Sequence, residues 1–275
     1  MSAVLTTGAL QIILAFIFGT AIGSFLNVLI WRLPREESIQ GRSHCPHCHR
    51  QLVWHDLVPV LSFLLQRGKC KYCKQPISFR YPLIEVIVGA LFALVIFLFP
   101  VTNLASGLMF AKLAVAVAIC ITVFVIDFEH ELILDKVVFP GIVVMAVLFI
   151  ALDILAGGFI NIRMGLLGAA AGFIPFWLLW YASKWFTGKT GKWMGFGDVK
   201  FAAFMGLALG LKNLVVALFL SFTVGAVVGI VLMATGKKHF SSRIPFGTFL
   251  ALATILSLFW GNQLWAWYWK LLTLN

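Results

Sequence analysis

The sequence has 275 residues, of which 61% are hydrophobic and only 11% are charged. A soluble globular domain carries about 25% charged residues, so the composition excludes that class and indicates a polytopic membrane protein. The formal net charge of +11 would also suit a nucleic-acid-binding protein. The positions of the basic residues, described below, argue against that class, and we expect no nucleic-acid partner.

The first apolar stretch covers residues 10–31, about the 20 residues that a transmembrane helix needs. Arg32 and Arg35 follow it directly, so the positive-inside rule places that end in the cytoplasm and the N-terminus outside. No basic segment precedes the stretch and no small-residue cleavage site ends it. We therefore do not expect a removable signal peptide.

A polar segment, residues 32–82, follows the first span and contains two Cys-x2-Cys motifs. Four thiolates with this spacing form the ligand set of a structural zinc site, which leaves no coordination position open. Disulfides or free thiols are the alternatives, although disulfides are disfavoured in the cytoplasm. A segment this small buries little apolar surface, so we expect a bound metal to hold its fold. The predicted zinc ligands are Cys45, Cys48, Cys70 and Cys73.

The remaining apolar stretches predict an all-α polytopic membrane protein with about eight transmembrane helices and a small cytoplasmic zinc-binding module. All but four of the 21 Lys and Arg residues fall in predicted inner loops, as the positive-inside rule requires. The four exceptions are Lys112, Arg163, Lys212 and Lys270. The predicted spans after the first cover residues 83–99, 104–126, 137–156, 164–182, 199–211 and 214–234, and a last one that begins at residues 244–247.

Two carboxylates stand where apolar and polar sequence meet. Asp127 directly follows the third predicted span, and Asp198 ends a Gly-x-Gly-Asp turn that contains Gly195 and Gly197. The helix after that turn, residues 199–211, is only about 20 Å long, whereas the hydrocarbon core is about 30 Å thick. We therefore expect Asp198 to lie inside the membrane, in a water-filled recess. The alternatives are an aspartate that merely caps a helix and, around Asp127, an ordinary solvated acidic loop.

Both aspartates fall on the predicted cytoplasmic side, at similar depth. Two carboxylates close together in a low dielectric cannot both ionise easily, so such a pair shares one proton. This is the arrangement of an aspartic protease, in which one partner activates water and the other polarises the peptide carbonyl. A cation-coupled transporter also uses intramembrane carboxylates, but the paired broken helices that favour this alternative are not found. A pure assembly scaffold, which would tolerate loss of both aspartates, is the third alternative.

The chain resembles the type IV prepilin peptidases, a family of intramembrane aspartic proteases with a Gly-x-Gly-Asp motif. The matching motifs follow the family's order and span almost the whole chain. They are residues 23–28, 32–35, the two Cys-x2-Cys motifs, residues 80–85, Ile126 and Asp127 together with Asp135, residues 195–200 and residues 244–247.

The resemblance implies that Asp127 and Asp198 are the catalytic pair, and that Gly195, Gly197 and Lys200 support the catalytic turn. It also implies cleavage of the leader of type IV prepilins or type II secretion pseudopilins, at the cytoplasmic face of the bacterial inner membrane. The new N-terminal amine would then be methylated with S-adenosylmethionine. No glycine-rich nucleotide motif marks the methyl-donor site, so its residues stay unassigned.

A peptidase without methyltransferase activity is the main alternative within the family, although such relatives commonly lack the long cysteine loop. The expected organisation is a first transmembrane helix at 1–31, the zinc-binding module at 32–82 and a membrane-embedded peptidase domain at 83–275. Prepilins or pseudopilins and membrane lipid are the expected partners.

Overall fold

A computed structural model of the chain describes residues 2–190, 194–235 and 245–273. Within these ranges the regular elements are helices, with no strand beyond isolated bridges. Short 3-10 helices cover Leu33–Arg35 and Trp54–Leu57. The α-helices are α1 (Ser2–Arg32), α2 (Leu61–Leu65), α3 (Arg80–Leu98), α4 (Leu104–His130), α5 (Asp135–Ala156), α6 (Ile160–Thr187), α7 (Phe196–Ala234) and α8 (Phe246–Thr273). The segment at 236–243, which contains three of the Lys and Arg residues assigned to inner loops, and residue Ile244 lie outside the described residues.

Seven helices in the described part of the chain are long and apolar enough to cross a membrane, namely α1 and α3 to α8. The predicted all-α membrane architecture is therefore confirmed. The sequence predicts separate sixth and seventh spans, and α7 consists of two helical segments that meet at a kink between them. Gly210 interrupts the helix with φ 69° and ψ 172°, a conformation that glycine reaches at little cost. The segment before the break, residues 196–209, is about 21 Å long, as short as the predicted sixth span.

The chain divides into two compact units, Met1–Phe110 and Ala111–Asn275. In the first unit, α1 packs closely against α3 through small residues. A Cβ atom built on Gly19 would lie 2.8 Å from Gly89 Cα, and one built on Gly23 would lie 2.7 Å from Glu85 Cα. Such small residues allow membrane helices to approach each other closely.

The second unit contains most of α4 and all of α5 to α8. Its α7 packs against both α6 and α8. Glycines allow backbone contact between α6 and α7, since a Cβ atom on Gly172 would overlap the Ala202 carbonyl oxygen and one on Gly206 would overlap that of Gly168. The first segment of α7 is almost completely buried around Phe201. The helix that begins at the Gly-x-Gly-Asp turn is therefore held firmly in the bundle.

Candidate functional site

Asp127 lies in the last turn of α4 and is only 5% exposed. Its Oδ2 atom accepts a 2.7 Å hydrogen bond from the backbone N–H of Thr248 and a 3.1 Å hydrogen bond from the Thr248 hydroxyl. Thr248 stands in the first turn of α8, where backbone N–H groups have no partner within the helix and the helix dipole is positive. The start of α8 therefore orients and stabilises this carboxylate.

Two glycines make room for this arrangement. A Cβ atom on Gly247 would lie 2.9 Å from Asp127 Oδ2 and 2.6 Å from Ile133 Cδ1. A Cβ atom on Gly197 would lie 2.8 Å from Ile133 Cβ. Ile133, which connects α4 to α5, thus lies against the starts of both α7 and α8. The structure brings these two helix starts and the end of α4 together.

Asp198 is the third residue of α7, and Gly195 is the residue that caps the helix. The Gly195 backbone N–H donates a hydrogen bond to the Asp198 carboxylate. The carboxylate therefore makes a local bond at the helix start, as in the helix-cap alternative, but it has a second neighbour. Asp127 is close enough for the charges of the two carboxylates to interact. The structure thus brings together the two aspartates that the sequence singles out.

Lys200 lies two residues after Asp198 in α7 and forms an ion pair with Asp135 at the start of α5. Its ammonium group also lies 5.0 Å from the centre of the Phe196 ring and 5.4 Å from that of Phe139. The Asp135 side chain is half-exposed, so the ion pair contributes little to overall stability. It ties the start of α7 to the start of α5, and the supporting role of Lys200 stays a prediction.

Thr248 is the residue of this site that the sequence analysis missed. It follows the motif at residues 244–247 and is the first hydroxyl side chain of the last helix. The first turn of a helix commonly offers backbone N–H donors to a nearby carboxylate. Which carboxylate it reaches depends on the neighbours of the helix, and no local pattern specifies those.

Replacing Thr248 by Val should lower the rate of peptide cleavage by about tenfold, because the shape is kept and one hydrogen bond to a charged group is lost. Thr248→Ser keeps the hydroxyl and should restore the rate. Thr254→Val is the matched control, since that buried hydroxyl on the same helix bonds only to the Leu250 carbonyl, at 2.7 Å. Initial rates of the three variants test this. Equal rates for Thr248→Val and Thr254→Val would contradict a positioning role for Thr248.

The two Cys-x2-Cys motifs form a second cluster, in the first unit. Both fold in the same way: the N–H of His49 donates to the Cys45 carbonyl at 2.8 Å, and the N–H of Lys74 donates to the Cys70 carbonyl at 2.9 Å. The four sulfur atoms of the predicted ligands lie within 4.8 Å of one another, without disulfides. Sulfurs that bind zinc tetrahedrally at about 2.3 Å are roughly 3.8 Å apart, so this cluster fits a metal ion.

The thiols of this cluster influence one another. Burial raises the pKa of Cys70, but the backbone N–H groups of Cys73 and Tyr72 and the neighbouring thiols lower it more, to about 7. For Cys73 the Gln75 N–H lowers the pKa, while burial and the three other sulfurs raise it to about 11. Negative charge on one sulfur thus opposes charge on the next. Four thiolates at this spacing require a cation to hold them together.

Two aspartates at the ends of helices in a membrane bundle, one of them in a Gly-x-Gly-Asp turn, are the features of an intramembrane aspartic protease. Residues 17–99 match the Bacterial Peptidase A24 N-terminal domain, and residues 113–230 match the Type IV leader peptidase family. The chain belongs to the type IV leader peptidase family. The family resemblance seen in the sequence motifs is therefore confirmed.

Curated relatives are similar over nearly the whole chain. The Prepilin leader peptidase/N-methyltransferase of Aeromonas hydrophila is 36% identical, covering 93% of this chain and 92% of the relative. The protein of the same name from Stutzerimonas stutzeri is 34% identical, covering 94% and 93%. That from Burkholderia pseudomallei (strain 1026b) is 33% identical, covering 94% and 88%. No solved structure matches the chain.

Proposed function

We propose that this protein is a prepilin leader peptidase that also methylates the new N-terminus of its product. The observation that carries the proposal is the juxtaposition of Asp127 and Asp198 in a chain of this family. Relatives that match more than nine-tenths of the chain have names that include both activities. The substrates would be type IV prepilins or the pseudopilins of type II secretion.

Peptide hydrolysis at this site needs no group beyond the two carboxylates and a water molecule. One carboxylate takes a proton from the attacking water, and the other, protonated, donates to the oxygen of the scissile carbonyl. Thr248 holds Asp127 in place for this exchange. The N–H of Gly195 does the same for Asp198. Gly195 allows close approach of the substrate chain beside Asp198, whereas Gly197 makes room for Ile133.

We infer a structural zinc ion at the four cysteines of the module at 32–82, because four thiolates leave no open position for catalysis. S-adenosylmethionine would supply the methyl group as the sulfonium cosubstrate. We assign leader cleavage to the second unit, which contains both aspartates. The zinc module belongs to the first unit, between α1 and α3.

The test is mass spectrometry of a synthetic prepilin and of its pre-cleaved form, each incubated with purified enzyme and S-adenosylmethionine. The intact prepilin should lose its leader and gain one methyl group, and the pre-cleaved peptide should only gain the methyl group. No cleavage would overturn the peptidase proposal. Cleavage without methylation would reduce the enzyme to a peptidase alone.

The protein is an integral membrane protein, and we propose the inner membrane with the N-terminus outside and both aspartates at the cytoplasmic side. The asymmetry of the basic residues supports this orientation. Reporters inserted after residue 40 and after residue 102 test it, since both positions lie in exposed loops. A reporter that is active only outside the cytoplasm should work after residue 102 and fail after residue 40. The opposite result would reverse the orientation.

A further inference from the structure

The first unit contains a cavity of about 520 Å³ that borders the cysteine cluster at Cys45 and Cys70 and extends from there to the ends of α1 and α3. It opens between the cytoplasmic ends of α1 and α3 and the zinc module, and its lining includes Asn27, Trp31, Asp56, Tyr81 and Glu85. Its volume lies within the range of roughly 300–1,000 Å³ that is typical of sites for small organic ligands. Two features of its polar lining indicate the chemistry of the ligand.

The first feature is a buried acceptor without a partner. Asn27 is only 3% exposed, and its Nδ2 atom donates a 3.1 Å hydrogen bond to the Tyr81 carbonyl. Its Oδ1 atom is buried and has no hydrogen-bond partner among the described residues. Buried side-chain oxygens are nearly always paired, because an unpaired one is costly. Asn27 is therefore suited to accept a hydrogen bond from a donor on a bound ligand.

The second feature is a buried carboxylate without an ion pair among the described residues. Glu85 is 8% exposed, and its Oε2 atom accepts a 2.7 Å hydrogen bond from the Val60 N–H. The Asp56 side chain is also buried in the lining, but its charge is balanced by Lys71, whose Nζ atom lies 3.9 Å from Asp56 Oδ1. The Arg32 guanidinium lies in the same lining, but it donates to three backbone carbonyls of residues 38–42. The Glu85 carboxylate, which has no ion pair in the described part of the chain, therefore favours a ligand with positive charge.

We propose that this cavity binds S-adenosylmethionine, with Glu85 supplying the compensating negative charge and Asn27 the hydrogen-bond acceptor. This ligand combines a sulfonium cation and an amino group with an adenine ring, which suits a cavity lined by Trp31 and Tyr81. The inference rests on the proposed function, because it places the methyl donor of the same enzyme.

Methyl transfer in this cavity moves one electron pair and one positive charge. The lone pair of the neutral N-terminal amine forms a bond to the methyl carbon while the carbon–sulfur bond breaks. The electron pair of that bond stays on sulfur, so the positive charge passes to nitrogen, which then releases a proton to water. Apolar walls limit access of water to the site, and this favours the neutral amine.

The test is calorimetric binding of two ligands to the full-length, zinc-loaded protein. S-adenosylmethionine carries the sulfonium charge, whereas S-adenosylhomocysteine has a neutral sulfur. Asn27→Ala should lower the affinity for both ligands to a similar extent, by about tenfold, because it removes a hydrogen-bond acceptor and no charge. Glu85→Gln keeps the bond to Val60 but removes the charge. It should lower the affinity for S-adenosylmethionine by about tenfold or more and the affinity for S-adenosylhomocysteine much less.

Asn213→Ala is the matched control, because Asn213 has an equally unpaired buried Oδ1 atom and lies on α7 in the other unit. It should leave both affinities unchanged. Zinc content and melting temperature report whether each variant is folded. If Glu85→Gln does not fold, the binding data for Asn27→Ala still test the cavity assignment. Photocrosslinking of labelled S-adenosylmethionine to wild-type protein is the second test, and it should label peptides within residues 24–85.

The cavity assignment would be overturned if a folded Asn27→Ala variant bound both ligands with wild-type affinity. It would also be overturned if the crosslinks fell only outside residues 24–85. If the cavity assignment fails in this way but wild-type protein still methylates the pre-cleaved peptide, the proposed function stands. Wild-type protein that cleaves without methylating and binds neither ligand would overturn both the methyltransferase proposal and the cavity assignment.

Discussion

Replacing either Asp127 or Asp198 by Asn is expected to abolish leader cleavage while methylation of a pre-cleaved pilin peptide continues. Asn has nearly the shape of Asp, so the fold should survive, but an amide can neither take a proton from water nor share one with its partner. Loss of general acid–base catalysis costs roughly 10²- to 10⁴-fold in rate. Removing one member of a mutually dependent pair should approach the upper end of that range.

Mass spectrometry of the intact and the pre-cleaved substrate separates the two activities of each variant. Asp153→Asn is the matched control, because Asp153 is a buried aspartate of the same unit with a structural role. Its carboxylate accepts hydrogen bonds from the backbone N–H groups of Asn161 and Ile162 at the start of α6, at 2.9 and 2.8 Å. This control should lower thermal stability but still cleave. Full-rate cleavage by Asp198→Asn would end the aspartic-protease interpretation.

Replacing Cys45 or Cys73 by Ser is expected to release the metal and to loosen the module at 32–82. The binding free energy of a structural zinc ion, about 10–16 kcal/mol in small zinc-binding peptides, also contributes to folding. A segment with so little buried apolar surface has no comparable source of stability. Metal analysis should find about one zinc per wild-type chain and much less in the variants. Limited proteolysis should cut the variants within residues 32–82.

Cys120→Ser is the control for this experiment, since Cys120 is buried in α4 and is not part of the cluster. It should retain zinc and the wild-type pattern of proteolysis. Carefully reduced wild-type protein without zinc would refute the metal site.

The helices and the cysteine cluster were predictable because their signals are local. Long apolar runs have one stable arrangement in a bilayer, since every backbone group must be paired within the helix. The spacing of Cys45, Cys48, Cys70 and Cys73 likewise fixes a ligand set without reference to the rest of the fold. The similar depth of Asp127 and Asp198 followed from the distribution of Lys and Arg, which reports on both ends of each span.

The contacts between helices were not predictable in this way. The bond from Thr248 to Asp127 joins residues more than a hundred positions apart, and apolar periodicity does not specify which helices are neighbours. The break in α7 was expected at the polar residues Lys212 and Asn213, but it lies at Gly210. Backbone freedom at a glycine, rather than polarity, determines where this helix changes direction. The cavity beside Asn27 likewise depends on how distant segments meet.

The backbone contact between α6 and α7 has a mechanical consequence for catalysis. Gly168 and Gly206 bring the backbones of α6 and α7 into contact, so we expect the first segment of α7, with Asp198, to move together with α6. Asp127 is instead fastened to α8 through Thr248. The distance between the two carboxylates therefore changes when α7 slides along α8. Because helices tilt when their apolar length does not match the bilayer thickness, we expect the cleavage rate in lipid vesicles to depend on the chain length of the lipid.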